Sequence, residues 1–282
     1  MEAITRTVLD CGGKLLDLSS PQVMGILNIT PDSFSDGGDC FFPEAAIARA
    51  RTMVEEGAAI IDVGGESSRP GAVDVGVAEE LRRVIPVIEA LARELPVPIS
   101  LDSTKPEVMR AAAHAGAGLI NDILALQRHG ALSAVAQTSL PVCLVHMQGN
   151  PQTMQVHPRY DDVVEDIHRF FAARILACEA AGISRERLII DPGFGFGKSV
   201  VDNLRLLKAL GRFCDLGLPV LVGLSRKSFL GKLANRAVSE RLVSGLTAAV
   251  LAVLNGARII RTHDVAETVE ALQVVEYVQC QG

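Results

Sequence analysis

Eight times along this chain of 282 residues, a short apolar run rich in Val and Ile ends in a polar residue or a glycine and gives way to a longer stretch of helical periodicity. The strand candidates are 23–28, 59–63, 98–102, 118–121, 142–146, 188–191, 220–223 and 258–261. The helical stretches that follow them are 43–57, 77–95, 106–116, 131–138, 161–181, 201–210, 239–255 and 265–278. Strands this apolar are buried on both faces, and eight strand-helix units suggest a closed parallel (βα)8 barrel of the TIM type, an α/β fold, where five or six would suggest an open doubly wound sheet. A barrel of this kind occupies about 250 residues, so the chain is expected to form a single domain over residues 1–282. Ahead of the first barrel strand, residues 8–18 read as a β-hairpin turning at Gly12-Gly13, expected to close the bottom of the barrel.

Composition narrows the partners. The formal charge is -6 and no basic run is continuous, which gives no electrostatic footprint for nucleic acid. The most apolar stretch, 246–254, is too short to span a bilayer, and the first ten residues lack the pattern of an export signal. The six cysteines are scattered without a CxxC pair, as expected of reduced, partly buried thiols. Together these imply a soluble, cytoplasmic protein.

Catalytic groups in such a barrel lie at the carboxyl ends of the strands. Those ends carry Asn28, Asp102, Asn121, His146 and Asp191, followed by Ser225-Arg226-Lys227-Ser228 after the seventh strand and Arg261-Thr262-His263 after the eighth. A lone strand-terminal Asp or Asn is often only a helix cap. Asp102 is less open to that reading, because Thr104-Lys105-Pro106-Glu107 offers a capping box of its own. Asn121-Asp122 and Asp191-Pro192-Gly193 could each serve a turn, and His146 competes with Met147 and Gln148 for the rim. What capping does not explain is the joint occurrence around one rim. Two carboxylates, two carboxamides and a lysine suit a flat heterocycle with an amidine-and-carbonyl edge, since a carboxylate accepts two parallel hydrogen bonds from such an edge. The basic clusters after the seventh and eighth strands occupy the usual phosphate position of the fold.

The run Gly193-Phe194-Gly195-Phe196-Gly197-Lys198-Ser199 resembles a nucleotide loop only superficially. Three residues separate Gly193 from Gly197-Lys198 where a P-loop needs four, and Pro192 stands where its first glycine belongs. Phe196 is better suited to packing on a planar substrate.

With those residues in view, the chain resembles the dihydropteroate synthase family over nearly its whole length. The resemblance is carried by residues 24–38 (MGILNITPDSFSDGG), 62–71 (DVGGESSRPG), 191–198 (DPGFGFGK), 223–228 (GLSRKS) and 260–264 (IRTHD). It implies a transferase of folate biosynthesis that joins a dihydropterin diphosphate ester to 4-aminobenzoate with release of diphosphate, by an SN1-like route. It also implies that Asp102, Asn121, Asp191 and Lys227 bind the pterin, and that Asn28, Ser68, Arg261 and His263 hold the diphosphate. Ser68, Arg69, Pro70, Phe196, Lys227 and Ser228 would form the 4-aminobenzoate pocket, which sulfonamides occupy in the family. Asp102, Lys227 and Arg261 would carry the catalysis, Asn28 would contact Mg2+, and the protein would be a homodimer. Ser68 departs from the threonine of many members, keeping the hydroxyl and losing a methyl contact. Two rivals share the pterin-reading residues: a pterin-binding methyltransferase domain, which has no use for a diphosphate site, and a catalytically silent paralogue.

Overall fold

A computed structural model describes residues 8–29, 42–67, 75–149, 154 and 158–281. The hairpin comes first, with β1 (Val8–Cys11) paired antiparallel to β2 (Lys14–Asp17). Gly12 and Gly13 adopt φ of 68° and 89°, the left-handed pair that a tight two-residue hairpin turn requires. Its buried Leu9, Cys11, Leu16 and Leu18 pack against Met24, Ile60, Leu119, Cys143, Val145, Ile189, Leu221 and Ile259, the inward-facing side chains of the barrel strands. Each leucine sealed there contributes about 1.5–3 kcal/mol of burial. Lys14 locks the plug in place, its Nζ donating to the carbonyls of Ala92, Leu95 and Val97 at 2.9, 2.6 and 3.2 Å.

Eight parallel strands make the barrel: β3 (Gln22–Asn28), β4 (Ile60–Gly64), β5 (Ile99–Asp102), β6 (Leu119–Asp122), β7 (Val142–Val145), β8 (Leu188–Asp191), β9 (Leu221–Gly223) and β10 (Ile259–Thr262). They are ordered β8-β7-β6-β5-β4-β3-β10-β9, and the seam is joined by an Ile190–Val220 bridge. Around them lie α1 (Phe42–Glu55), α2 (Val77–Glu94), α3 (Pro106–His114), α4 (Ala131–Ala136), α5 (Val163–Ala180), α6 (Val200–Lys208), α7 (Gly211–Cys214), α8 (Ser228–Ala234), α9 (Leu242–Leu254) and α10 (Val265–Gln279). The opposite, outward faces of the strands bury against these helices and form the larger core. All eight expected strands and helical stretches are present, together with the hairpin. Two short helices, α7 and α8, were not anticipated beyond a turn at Ser228.

The expected capping box at α3 does not form. Its N-cap is Lys105, without a side-chain cap, and Pro106 opens the helix. Thr104 instead accepts a hydrogen bond from Arg128, and Ser103 Oγ accepts the Lys105 N–H at 3.2 Å. The helix starts one residue later than the box requires, so the N-cap position falls to a side chain with no acceptor, and Lys105 instead turns inward to pair with Glu66 and, at 2.5 Å, with Glu80.

Candidate active site

The register of the sheet lifts one layer of side chains to the open end of the barrel. Asn28 pairs with Gly64, Gly64 with Asp102, and Asp102 with Asn121 across four consecutive strands. Val145 pairs with Asp191, and Gly223 with Arg261, on the remaining arc. A single pocket with about 330 Å³ of open space is bordered by Asp102, Asn121, Asp191, Lys227, Arg261 and Phe196, with Ile123, Val145, Phe194 and Gly223 as its apolar and backbone walls. The five polar residues come from β5, β6, β8, β10 and the loop after β9. At the rim, a Cβ on Gly64 would make only ordinary contacts, 3.5 Å from Asp102 Cβ and 3.8 Å from Asn28 Oδ1, and one on Gly223 would lie 3.9 Å from Arg261 Cβ.

Arg261 organises the floor. Its Nε donates to Asp62 at 2.6 Å and its Nη2 to Asp102 at 2.7 Å. Burial opposes the guanidinium charge, but the Asp62 and Asp102 carboxylates outweigh it and hold Arg261 above its ordinary range. Burial pushes Asp102 up to about 7, Arg261 pulls the other way, and the like charges of Asp62, Glu80 and Asp122 add to the rise. Lys227 is lowered to about 8 by burial, opposed by Asp191. Its Nζ sits 4.1 Å from the centre of the Phe196 ring, a cation–π contact. Asp191 is raised by burial, against the Gly193 N–H that its Oδ1 accepts at 2.7 Å and the charge of Lys227.

Several alternatives left open by the sequence are resolved. Asp122 takes the turn role, accepting the N–H groups of Leu124 and Leu126 at 2.8 Å each, and Asn121 faces the pocket. Asp191 both closes its turn and borders the pocket. His146 does not line the pocket: it packs edge-on against Phe170 at 4.8 Å and lies 3.0 Å from Lys198 Nζ. Burial, then the neighbouring Lys198, drives His146 down to about 2. Lys198, itself pushed well down by burial, pins the glycine-rich loop through the Gly193 and Phe196 carbonyls at 2.8 and 2.9 Å. It is a loop pin in the place where a nucleotide loop would use a phosphate ligand.

The cluster after β9 divides its work. Lys227 enters the pocket, while Arg226, at φ 58°, turns to Asp264 with Nη2 to Oδ1 at 2.5 Å. Ser225 Oγ lies 3.0 Å from His263 Nδ1 and accepts the His263 N–H at 3.2 Å, so it sets the orientation of that imidazole. Ser228 opens α8 and is exposed. Ser68, Arg69 and Pro70 lie outside the described residues. Sequence reasoning missed Asp62, a wholly buried carboxylate one inward-facing position below Gly64. An acidic residue in the middle of an otherwise apolar strand was the available signal.

Asn28, half-buried at the end of β3, is not among the residues that border the pocket; its Oδ1 lies on the Gly64 side of the rim, 3.8 Å from where a Gly64 Cβ would stand. Among the described residues no group of three or more His, Cys, Asp or Glu could hold a metal ion. The Asn28 donor is of the type Mg2+ takes: a hard carboxamide oxygen, to be joined by substrate phosphates and water.

A barrel whose strand ends gather these groups around one pocket belongs with enzymes that read a pterin, and the family model described as pterin binding enzyme matches residues 24–263. The chain belongs to this family, and within it to the dihydropteroate synthases. The Escherichia coli (strain K12) dihydropteroate synthase is 58% identical over 264 residues, which is 94% of each chain. The Xanthomonas albilineans dihydropteroate synthase solved with 4-aminobenzoic acid superposes with a TM-score of 0.93 at 55% identity, covering 98% of this chain and 99% of that one. The same organism's enzyme in complex with 7,8-dihydropteroate gives 0.89 at 53% identity over 96% and 98%.

Proposed function

We propose that this protein condenses (7,8-dihydropterin-6-yl)methyl diphosphate with 4-aminobenzoate to form 7,8-dihydropteroate and diphosphate, a step of folate biosynthesis. The observation that carries this reading is the meeting of Asp102, Asn121, Asp191, Lys227 and Arg261, distant in sequence, around one pocket. Asp102, Asn121 and Asp191 accept and donate along the edge of the pterin, and Lys227 donates to its carbonyl side. Arg261 and His263, with Asn28 and Ser68, receive the diphosphate. Phe196, Lys227 and Ser228, with Ser68, Arg69 and Pro70, receive 4-aminobenzoate.

The chemistry follows from where charge develops. The methylene C–O bond breaks with its electron pair leaving on the diphosphate, the amine nitrogen forms the new C–N bond, and the amine gives up a proton. Arg261 stabilises the departing anion, and ionised Asp102 offsets the positive charge on the pterin methylene. When bound through Asn28, Mg2+ supplies further neutralisation of the diphosphate. Lys227 orients both substrates at their junction. The reading includes a homodimer, supported by Val243, Leu251, Leu254, Val274, Tyr277 and Val278, which stand exposed on the adjacent helices α9 and α10. It includes a cytoplasmic location, supported by the free thiols at Cys11, Cys143, Cys178, Cys214 and Cys280.

The test mixes the protein with Mg2+, the dihydropterin diphosphate ester and 4-aminobenzoate. Stoichiometric formation of diphosphate and dihydropteroate is expected. Pterin binding without turnover would favour the silent paralogue, and methyl transfer in place of diphosphate release would favour the methyltransferase.

A further inference from the structure

Asp62 is wholly buried beneath the pocket and is not among the residues that border it. Its Oδ2 nevertheless touches two that do, accepting from Arg261 Nε at 2.6 Å and from Asn121 Nδ2 at 3.2 Å. Because a carboxylate facing a guanidinium can only accept, the Asn121 carboxamide must turn its NH2 toward Asp62. Its oxygen is left as the free end, and Asn121 Oδ1 is buried with no hydrogen-bond partner among the described residues. A buried acceptor without a partner, on a residue that lines a pocket, is satisfied when a ligand donor arrives. The Arg261 guanidinium is held in the same way, clamped in its plane between Asp62 on β4 and Asp102 on β5.

We propose that Asp62 is a positioning residue that, through one carboxylate oxygen, fixes the Arg261 guanidinium for the departing diphosphate and the Asn121 carboxamide with its oxygen toward the ring. The assignment rests on the reading of Arg261 and Asn121 given under the proposed function. The physical logic is preorganisation: donors and acceptors locked before the substrate arrives need no reorganisation in the transition state. Removing the lock leaves an arginine that follows Asp102 alone and an amide free to flip.

Asp62→Asn, nearly the same size, is the first variant. Turnover is measured with the dihydropterin diphosphate ester, 4-aminobenzoate and Mg2+. The expected result is a loss of about 10- to 100-fold in kcat/KM for the ester, with KM for 4-aminobenzoate within about twofold of the parent. A double-mutant cycle then separates positioning from general support. Asp62→Asn should add less than about threefold to the loss caused by Arg261→Gln, but should multiply fully with Lys227→Ala, which Asp62 does not touch. If Asp62→Asn alone does not fold, the double variant with Arg261→Gln removes both charges and is compared with Arg261→Gln by itself. Parental kcat/KM, equal losses for both substrates, or independent effects with Arg261→Gln would overturn the assignment. An inactive parent protein would instead overturn the activity on which it rests.

Discussion

Arg261 on the last barrel strand donates to Asp102 on the third at 2.7 Å, tying opposite arcs of the rim through one charged hydrogen bond. Neither residue is free to serve a helix cap, and the pair borders the pocket. Removing the Asp102 charge should therefore cost at least about 10^2 in kcat/KM, or about 2.7 kcal/mol of transition-state stabilisation. Steady-state kinetics of Asp102→Asn check this, and near-parental turnover would discard the role. Arg261→Ala should chiefly weaken binding of the diphosphate ester, so unchanged affinity by calorimetry would count against the anion site.

The titration of the pocket gives a pH signature. Asp102 is raised to about 7, so kcat/KM should climb as pH rises through that value and the carboxylate gains its charge. Lys227 is lowered to about 8, so kcat/KM should fall again as the ammonium loses its proton. The free enzyme is thus expected to show a narrow bell with its maximum between these limbs. Lys227→Arg replaces the titrating cation by one that stays charged, and should abolish the alkaline limb while leaving the acid limb in place. An alkaline limb that persists in that variant would assign it to another group.

Behind the rim, Lys105 is buried between Glu66 and Glu80, and Glu66 Oε1 also accepts the Val75 N–H at 3.3 Å. Burial works against the Lys105 charge, but the two glutamates outweigh it and raise its pKa. A lysine raised in the folded state contributes stability that is complete below its unfolded value and is lost only at strongly alkaline pH. Lys105→Met should accordingly destabilise the protein by about 3–5 kcal/mol near neutrality, because it leaves Glu80 charged and unpaired in the interior. Urea denaturation measures the loss. Adding Glu80→Gln should restore part of it, and no recovery would argue that packing, not charge, is responsible.

The barrel was legible because its strands are apolar on both faces and end in polar residues, so a single rule about strand termini located Asn28, Asp102, Asn121, Asp191 and Arg261. Asp62 escaped that rule by standing inside the strand, where only the alternation of side chains puts it next to Arg261. The capping box at Thr104 and Glu107 failed because the helix starts one residue later, at Pro106, which puts Lys105, a side chain with no acceptor, at the N-cap. At four and seven residues, α7 and α8 are too short to establish a helical period. Spacing separated the glycine-rich loop from a P-loop, but its pin, Lys198 on backbone carbonyls, depends on a fold that spacing alone does not describe.

That loop supplies the last prediction. Gly193 adopts φ 71°, and a Cβ built on it would stand 1.9 Å from the His146 carbonyl oxygen, with Lys198 Nζ 3.5 Å away. The left-handed backbone alone costs a side chain about 1–2 kcal/mol. The overlap with a backbone oxygen cannot be relieved by rotating a side chain, because His146 N donates to Asp191 O at 2.9 Å and so fixes that segment to β8. Gly193→Ala must therefore push the loop away from β7, which pulls Phe196 from beside Lys227 and loosens the Gly193 N–H from Asp191. The expected outcome is a loss of more than about 2 kcal/mol in urea denaturation, accompanied by a fall in affinity for pterin that exceeds the stability loss. Gly182→Ala provides the control. It has φ 87° but no atom within 4 Å of the added Cβ, so only the backbone cost should appear there. If the two substitutions prove equally mild, the close approach at His146 does not govern the shape of the pocket.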